Sequence, residues 1–553
     1  MVKMSLVICG LLFLTPLLVS QQQPPDLILL NGKVFTSDDA RPYVQALAIR
    51  GQRIVAIGDS AKIKALAGAQ TEQIDLGGRT VIPGLNDAHN HLEVSPADTV
   101  ELQLKDPDPS WGEVKGAIAA ALAKAPKGAP LLAYVGPAIF HDVEVDRDSL
   151  DESAPDRPVI LASVTGHADI LNSRALAELG IRDGQADPEG GRFERSAAGR
   201  LTGVVREYAA LYVTRRIADM TSEADALAEL RKTLSAAVKW GITSIQDMSN
   251  AMTPERCVAL LEKVPTPIRV RVIRMPGTTP AGRDMQEGRP APSTSNPLIT
   301  VSGTKWMLDG TPVERTFEPR DSARHGADVA FETIFSDFGP TFPPAEIHSM
   351  LRESLRSRDD QLMVHVFGYN SAAAILHAMQ ATGGRDVWAG RRVRFEHGDG
   401  LFPDLVPLAK EMGVIVVQNP SHLDVVTIFP RLSLERAQPL RTLLLAGIPV
   451  ALGSDGPMNP YLNIMFASLH PDRPSEAITR EQAVIAYTLT SAYAEFAEKE
   501  EGSLEPGKLA DLAVLSQDIF KVPVADLPKT ESVLTLVGGK VVYDSRLLTP
   551  KER

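Results

Sequence analysis

The chain has very little cysteine, and this scarcity removes several classes of site. Its 553 residues include only two cysteines, Cys9 and Cys257. Cys9 lies in an apolar N-terminal segment, so Cys257 is the only cysteine left if that segment is cleaved. An intramolecular disulfide would then be impossible, as would a zinc site made of several thiolates. The function therefore cannot rest on a cysteine pair or a cysteine-based metal site.

The chain also has fewer basic than acidic residues. Lysine and arginine number 57 against 69 acidic residues, which gives a net charge of −12. Nucleic-acid binding needs a basic face, and no such concentration of charge is present. No polybasic run indicates a membrane-surface site either. We expect a small-molecule substrate and no nucleic-acid partner, and the sequence leaves a homodimer open.

Long apolar runs are missing except at the N-terminus. Lys3 precedes the apolar stretch from Ser5 to Val19, and Ser20 and a polar segment follow. This stretch is shorter than the about 20 residues that a membrane-spanning helix needs. The layout is typical of a signal peptide, so we predict one over residues 1–20 and export to the periplasm or the extracellular space. An uncleaved membrane anchor is the alternative, because Leu18 stands where a small residue is preferred.

Strand-rich segments lie near both ends of the chain. Asp26 to Thr36 reads LILL-NG-KVFT, which predicts a tight hairpin at Asn-Gly. Two further hairpins are predicted over 46–57 and over 534–543, where LTLV-GG-KVVY repeats the layout. Each hairpin alone could bury little apolar surface. We therefore predict one composite β-sandwich made of residues 26–82 and 500–548.

Between these ends, short apolar strands alternate with helical stretches. Eight strand candidates can be counted: the strand before His89, Ile242–Ile245, Ile268–Ile273, Thr304–Leu308, Met363–Phe367, Val393–Phe395, Val414–Val417 and Val450–Leu452. Eight strands in βα alternation predict an α/β fold of the (β/α)8 TIM-type barrel class, over 83–120 and 218–499. Residues 121–217 have strands of their own and predict an inserted α/β subdomain. The 311–345 loop is either a lid or a solvated excursion.

The stretch from Val81 to His91 contains the first candidate site. An apolar run ends in Pro-Gly, and Asp87, His89 and His91 then follow at alternate positions. The two-residue period of a strand places these three side chains on one face. Two imidazoles there could bind one metal ion, and the carboxylate could orient a ring. Taken alone, two strand-end histidines are also compatible with an ordinary structural role.

The ends of the later strands strengthen the metal interpretation. In such a barrel, chemistry takes place at the C-terminal ends of the strands. Lys305, His365, His397 and Asp455 end the fourth, fifth, sixth and eighth candidate strands. Four of the chain's 11 histidines therefore converge on one barrel mouth. Arg394 and Glu396 alternate with His397 and are expected on the barrel exterior or between layers.

Ten motifs occur in order along the chain: PGLNDAHNH, GHADILNS, RLTGVVRE, GITSIQD, TKWMLDG, VHVFG, RFEHGD, VQNPSH, LGSDGP and GSLEPGKLADLAVL. Together they resemble the amidohydrolase superfamily, and most closely its YtcJ-like metal-dependent hydrolases. The resemblance implies a barrel with a composite β-sandwich and one or two divalent ions, with zinc expected. It further implies hydrolysis of a carbon–nitrogen bond and carbamylation of Lys305. An unmodified lysine would repel metal ions at this position.

The same resemblance implies a role for each site residue. Asp455 would be both a metal ligand and the group that accepts the proton of the attacking water. Asp87 and Asp309 would support metal ligands without touching the ions. The metal ligands would be His89, His91 and Asp455 for one ion, His365 and His397 for the other, and Lys305 between them. Four residues would line the substrate pocket, unless they are helix caps, turns or hydrogen-bonded core positions: His167, Asn172, Glu207 and His422.

The sequence thus predicts an exported metal-dependent amidohydrolase that uses a metal-activated water. Its substrate would be a non-peptide amide or a cyclic amide. Hydrolysis of an ester or another bond on the same scaffold is one alternative, and a catalytically silent binding protein is another. A barrel glycosidase would use two carboxylates about 5–9 Å apart. The histidine-rich strand ends argue against that class.

Overall fold

The computed structural model describes residues 23–285, 289–311, 314, 339–357, 360–424 and 438–548. The predicted signal peptide and most of the predicted 311–345 lid lie outside the described residues. Among these residues, no helix combines the length and the apolar character that crossing a membrane requires. The strands form a central parallel sheet, two sheets built from the chain ends, a further large sheet and one small ribbon.

The strands, in chain order, are β1 (Leu27–Leu30), β2 (Lys33–Phe35), β3 (Tyr43–Val44), β4 (Ala46–Arg50), β5 (Arg53–Gly58), β6 (Glu72–Asp75), β7 (Thr80–Pro83), β8 (Leu85–Asn90), β9 (Val100–Glu101), β10 (Leu131–Val135), β11 (Val159–Ser163), β12 (Ala168–Leu171), β13 (Gly191–Arg195), β14 (Leu201–Glu207), β15 (Ile242–Ser249), β16 (Arg269–Arg274), β17 (Thr278–Thr279), β18 (Gly282–Arg283), β19 (Ile299–Met307), β20 (Leu362–Val366), β21 (Arg394–His397), β22 (Ile415–Gln418), β23 (Val450–Leu452), β24 (Leu512–Leu515), β25 (Ser532–Val537) and β26 (Lys540–Asp544).

The α-helices of the described residues are α1 (Ser60–Lys64), α2 (Trp111–Leu122), α3 (Pro137–His141), α4 (Arg147–Ser153), α5 (Ser173–Glu178), α6 (Tyr208–Met220), α7 (Glu223–Lys239), α8 (Pro254–Leu261), α9 (Pro344–Ser354), α10 (Tyr369–Ala381), α11 (Gly384–Trp388), α12 (Val406–Glu411), α13 (Leu440–Ala446), α14 (Pro460–Leu469), α15 (Arg480–Ala486) and α16 (Leu489–Ala494). Short 3₁₀ helices cover Pro420–Asp424, Pro474–Glu476 and Val524–Lys529.

The central sheet is an eight-stranded parallel barrel. Its strands follow the chain in the order β8, β15, β16, β19, β20, β21, β22, β23, and each is hydrogen-bonded to the next. At the mouth, the Asp455 amide donates to the His89 carbonyl at 2.9 Å, which joins the ends of the last and first strands. Gly453 permits this approach, because a Cβ there would lie 2.4 Å from the His89 nitrogen. All eight predicted strands and the (β/α)8 fold class are confirmed.

Burial explains why these segments become barrel strands. Every residue of β8, β15, β20, β21 and β22 is buried, as expected for parallel strands covered on both faces. Ser222 is the N-cap of the preceding helix α7, and its side chain accepts from the Asp225 amide at 3.1 Å. Its buried Leu230 and Leu234 belong to the same core as the barrel strands. The apolar strands therefore fix where each C-terminal end lies.

Two sheets from the chain ends pack face to face. One has the order β5-β4-β1-β6 and the other β26-β25-β24-β7-β2-β3. Leu29 and Ile49 of the first sheet share one apolar core with Leu512 and Leu536 of the second. The composite sandwich expected from the two ends is thereby confirmed as part of the fold. The hairpins β4–β5 and β25–β26 also pair antiparallel as predicted.

The first predicted hairpin is wrong. Strand β1 pairs with β4 and β6, whereas β2 pairs with β3 and β7 in the other sheet. Asn31 does adopt a positive φ of 57°, as a tight turn would require, but the turn carries the chain between sheets. All four residues of β1 are buried, so the strand is more stable between two neighbours than at the edge of a hairpin.

The chain between β8 and β15 forms a six-stranded mixed sheet with the order β13-β14-β12-β11-β10-β9. We call it the inserted sheet. The sequence-based division assigned 83–120 to the barrel, but β9 pairs with β10 of the inserted sheet. Val114 and Ile118 of helix α2 likewise share a core with the inserted sheet. Residues 100–122 therefore pack with the insertion rather than with the barrel.

The sandwich can be tested with two neighbouring positions on β25 and β26. Leu536 is fully buried in the shared core, whereas Val541 is 49% exposed. Leu536→Ala should lower the free energy of unfolding by about 2–5 kcal/mol. Val541→Ala should change it by no more than about 0.5 kcal/mol. Urea unfolding of the full chain measures both, and equal effects of the two substitutions would contradict a core shared by the chain ends.

Candidate metal centre

Six predicted site residues meet at the barrel mouth. The ring centroids of His89 and His91 lie 5.3 Å apart, and those of His365 and His397 lie 4.7 Å apart. The two pairs are adjacent, because the ring centroids of His89 and His397 lie 5.2 Å apart. Lys305 Nζ lies 3.0 Å from His89 Nε2. The sixth residue is Asp455, whose Oδ1 lies 3.2 Å from His91 Nε2 and 3.6 Å from His89 Nε2.

Three of the rings are anchored on the side that faces away from this centre. Each Nδ1 atom contacts an oxygen: His89 meets Glu396 Oε2 at 2.7 Å, His91 meets the Met248 carbonyl at 2.8 Å, and His365 meets Asp309 Oδ1 at 2.7 Å. An acceptor at Nδ1 keeps the proton on that nitrogen. The Nε2 lone pairs then face the shared space, which is the arrangement that a metal ligand requires.

Burial keeps the rings of His89, His365 and His397 neutral. Together with the nearby Lys305, it lowers the pKa of His89 to about 4. Burial also holds the pKa of His365 and of His397 well below the usual value. Although burial alone would raise the pKa of Asp455, the neighbouring His89 and the hydrogen bond from His91 hold it well below its usual range. The mouth thus combines three neutral rings with an ionised carboxylate, whereas the hydrogen bond and charge of Asp455 outweigh burial at His91 and raise its pKa.

The donor set fits a divalent ion. Among the described residues, two groups have ligand atoms close enough to hold one, namely His89, His91 and Asp455, and His397, His422 and Asp455. His365 Nε2 is buried and has no hydrogen-bond partner among the described residues. Buried polar atoms are normally satisfied, so an unpaired lone pair here needs a partner. Imidazole nitrogens and a carboxylate oxygen are ligands that zinc accepts.

His422 lies closer to this centre than the sequence indicated. It was expected in the substrate pocket, but its Nε2 lies 3.8 Å from Asp455 Oδ2 and 2.9 Å from the Asp455 carbonyl. Its ring also stacks on His397 at 5.7 Å. The short 3₁₀ helix after β22 brings it there. His422 is therefore a candidate ligand as well as a pocket residue.

Glu396 is the most important residue whose place the sequence analysis missed. It was expected outside the barrel or between layers, yet its side chain is completely buried and anchors His89. Arg394 neutralises it, with Nε 2.8 Å from Glu396 Oε1. Strict alternation would place Glu396 and His397 on opposite faces. His397 has a φ of 68°, which breaks the alternation and turns both side chains toward the mouth.

The two supporting aspartates act in different ways. Asp309 bonds to the His365 ring and also accepts from the Phe367 and Gly368 amides at 3.0 and 2.8 Å. Within the described part of the chain, Asp87 makes no hydrogen bond to an imidazole ring. Its carboxylate accepts from the Ser454 amide at 2.8 Å and the Ser454 hydroxyl at 2.6 Å, next to Asp455. Asp87 therefore positions the loop that carries Asp455, rather than a ring as the strand pattern had indicated.

The other three residues predicted to line the substrate pocket have different roles in the structure. His167 faces His365 with ring centroids 4.6 Å apart. Its Nδ1 contacts Glu207 Oε2 at 2.7 Å, so Glu207 orients His167 instead of facing the cavity. Asn172 is the N-cap of α5 and accepts from the Ala175 amide at 2.9 Å. Its amide group also donates to two main-chain carbonyls, so nothing remains for a substrate and the pocket prediction fails for Asn172.

A cavity of about 800 Å³ opens above the six central residues. It is bounded on one side by the barrel mouth and on the other by residues of the inserted sheet. His89, His91, Lys305, His365, His397 and Asp455 all line it, together with His167 and His422. A small molecule bound there would touch the candidate metal ligands directly.

Comparison with known proteins gives consistent matches over most of the chain. The model of the amidohydrolase family matches residues 72–543. The Arabidopsis thaliana protein LONG AFTER FAR-RED 3 is 28% identical, over 94% of this chain and 91% of its own length. The N-substituted formamide deformylase of Arthrobacter pascens is 27% identical, over 94% and 99%. The putative amidohydrolase YtcJ of Bacillus subtilis is 24% identical, over 93% and 98%.

A solved structure shares the architecture. An uncharacterized metal-dependent hydrolase from Pyrococcus horikoshii superposes with a TM-score of 0.64 and 19% sequence identity. The match covers 90% of this chain and 99% of that one. At this level of identity the likeness concerns the fold, and it agrees with the barrel described above.

The anchoring of His365 can be tested by metal binding. Asp309→Asn removes the charged acceptor at Nδ1 and should weaken zinc affinity about 10–100-fold. Asp399→Asn is the matched control, because Asp399 is a buried carboxylate of the same cavity that accepts from the Gln438 amide and not from a ring. Zinc titration against a chelator measures both variants. Equal losses in the two would argue against a specific role of the Asp309–His365 contact.

Proposed function

This chain belongs to the amidohydrolase family, and on that premise we propose that it is a metal-dependent hydrolase of a carbon–nitrogen bond in a small non-peptide amide or cyclic amide. The family and its relatives support hydrolysis, and the bond type is our proposal. One structural observation is the main support for a metal-dependent hydrolase. Buried imidazole lone pairs and one carboxylate converge on a single space at the floor of a cavity that can hold a small molecule.

We assign the ions to the residues that converge there. His89, His91 and Asp455 would hold one divalent ion, with zinc expected from the nitrogen-rich donor set. His365 and His397 would hold a second, and His422 is close enough to take part. The unpaired Nε2 of His365 supports its inclusion.

Lys305 would lie between the two ions as a carbamate. Burial lowers the pKa of its amine, which increases the neutral fraction that can react with CO2. The amine would then add to the carbon of CO2 and release a proton, giving a carboxylate on the side chain. An ammonium would repel cations at this position, whereas a carbamate attracts them and offers two oxygens.

A divalent ion bound here would acidify water toward a pKa of about 7 and polarise the substrate carbonyl. The protein supplies the proton transfers. Asp455 is ionised and accessible from the cavity, so it can accept the proton of the attacking water and return it to the leaving nitrogen. Glu396 and Asp309 keep the His89 and His365 rings in place during these transfers.

The substrate class follows from the family and the cavity together. A relative with 27% identity is named an N-substituted formamide deformylase. N-substituted formamides are therefore the first compounds to test, followed by N-acyl amides, cyclic amides and simple esters. The apolar lining of Leu132, Ile160 and Leu211 would accommodate an alkyl substituent.

The role of Lys305 can be tested by counting metal. Lys305→Ala should reduce bound metal from about two ions to one or fewer per chain, and hydrolysis should fall by at least about 100-fold, because the bridging oxygens are lost. Short carboxylic acids added to the variant should restore part of both. Elemental analysis and turnover on formamides measure the outcome. Full metal content with full turnover in Lys305→Ala would exclude the bridging role.

We also propose that the protein is exported. The support is the N-terminal run of Lys3, apolar residues and Ser20, which is typical of a signal peptide. Expression in a bacterial host should yield a secreted or periplasmic form that begins near Gln21. N-terminal sequencing determines this directly. A cytosolic product that keeps Met1 would contradict export.

A further inference from the structure

One face of the inserted sheet forms a wall of the cavity. Tyr134 on β10 lies opposite Ala162 on β11, which lies opposite Asp169 on β12. Residues paired across neighbouring strands project from the same face of a sheet. Leu132 and Ile160 lie in the next row of that face. All five residues line the cavity, so the wall is mostly apolar and contains one carboxylate.

Asp169 has no protein partner on this wall. Asp169 is only 7% exposed. Among the described residues, its carboxylate has no hydrogen bond and no ion pair. A buried carboxylate normally has a cation or several donors beside it, because desolvation otherwise makes the charged form costly. Burial raises the pKa of Asp169 to about 8, and the negative charges of Glu93 and Glu314 contribute to the rise.

The surroundings of Asp169 would favour a cation. Glu93, from the loop after β8, lines the same cavity and interacts electrostatically with both Asp169 and Tyr134. The Tyr134 ring offers an aromatic surface, and cations bind favourably over such rings. Among the described lining residues, Lys305 is the one lysine or arginine, and it lies at the metal end. A ligand cation would therefore meet no competing positive side chain at this wall.

We propose that Asp169, together with Glu93 and Tyr134, forms a subsite for a positively charged group of the substrate, such as a primary ammonium. The inference rests on the proposed hydrolase function and narrows its substrate class to amides that bear a cationic substituent. The ammonium would pair with Asp169 while the amide carbon lies over the histidine cluster. His167 lies between the proposed subsite and the histidine cluster, because its ring faces that of His365 and it precedes Asp169 by two residues.

The test compares matched ligands that differ in charge. N-(aminoalkyl)formamides of increasing chain length are each paired with the neutral N-alkylformamide of the same length. The metal-loaded full chain should bind at least one cationic member about tenfold or more tightly than its neutral partner, because a desolvated charge pair forms. Its kcat/KM should rise by a similar factor. Asp169→Asn should remove this preference while the affinity for the neutral compounds changes little.

Glu229→Gln is the matched control. It removes a carboxylate from the rim of the same cavity, where Glu229 already pairs with Lys232 at 3.4 Å. This variant should keep the cation preference. Asp169→Asn should fold at least as well as the wild type at pH 8, because an unpaired buried charge is removed. If it does not fold, Glu93→Gln provides the test and should reduce the preference in the same direction.

The outcomes separate the subsite from the proposed function. Equal binding of cationic and neutral compounds by the wild type, or a preference that survives in Asp169→Asn, overturns the subsite even if formamides are hydrolysed. Calorimetric binding that favours the cationic compounds and depends on Asp169 supports the subsite even if no amide is hydrolysed. In that case the hydrolase proposal alone would fail.

Discussion

The contact between the Nδ1 atom of a buried histidine and an oxygen behind it is the interaction on which the candidate site depends. Glu396, Asp309 and the Met248 carbonyl each provide one. Without these acceptors, the rings could rotate or change tautomer, and their Nε2 lone pairs would no longer face one space. The Glu396 carboxylate can itself be buried only because Arg394 pairs with it. The metal centre thus requires an ionic layer below it in the barrel.

The barrel and the inserted sheet contribute different parts of the candidate site. The closed ring of parallel strands brings together ligands that are far apart in the sequence, and the link between Asp455 and His89 completes it. The inserted sheet supplies no residue of the two candidate metal groups. It adds a wall with Tyr134 and Asp169 to the cavity. Under the proposed function, the barrel would therefore supply the chemistry, and the inserted sheet would contribute to the choice of substrate.

Much of this arrangement could be read from the sequence, because apolar strands buried on both faces form continuous runs and the polar residues after them mark the mouth. The eight strands, His89, His91, Lys305, His365, His397 and Asp455 were found in this way. The neighbours of each individual strand have no such signal, and the Asn31–Gly32 turn connects two sheets although its sequence suits a hairpin. Glu396 was missed because the positive φ of His397 leaves no trace in the sequence. For Asn172 the sequence leaves a pocket position and a helix cap as alternatives, and the position of α5 decides for the cap.

The most direct test of the account is a diffraction experiment on the purified full chain at the absorption edge of its bound metal. We expect an anomalous peak at the barrel mouth, bonded at about 2.0–2.2 Å to His89 Nε2, His91 Nε2 and a carboxylate oxygen of Asp455. Extra density extending from Lys305 Nζ toward that peak should mark the carbamate. A mouth without an anomalous peak, in protein that elemental analysis shows to contain metal, would contradict the assignment of this site.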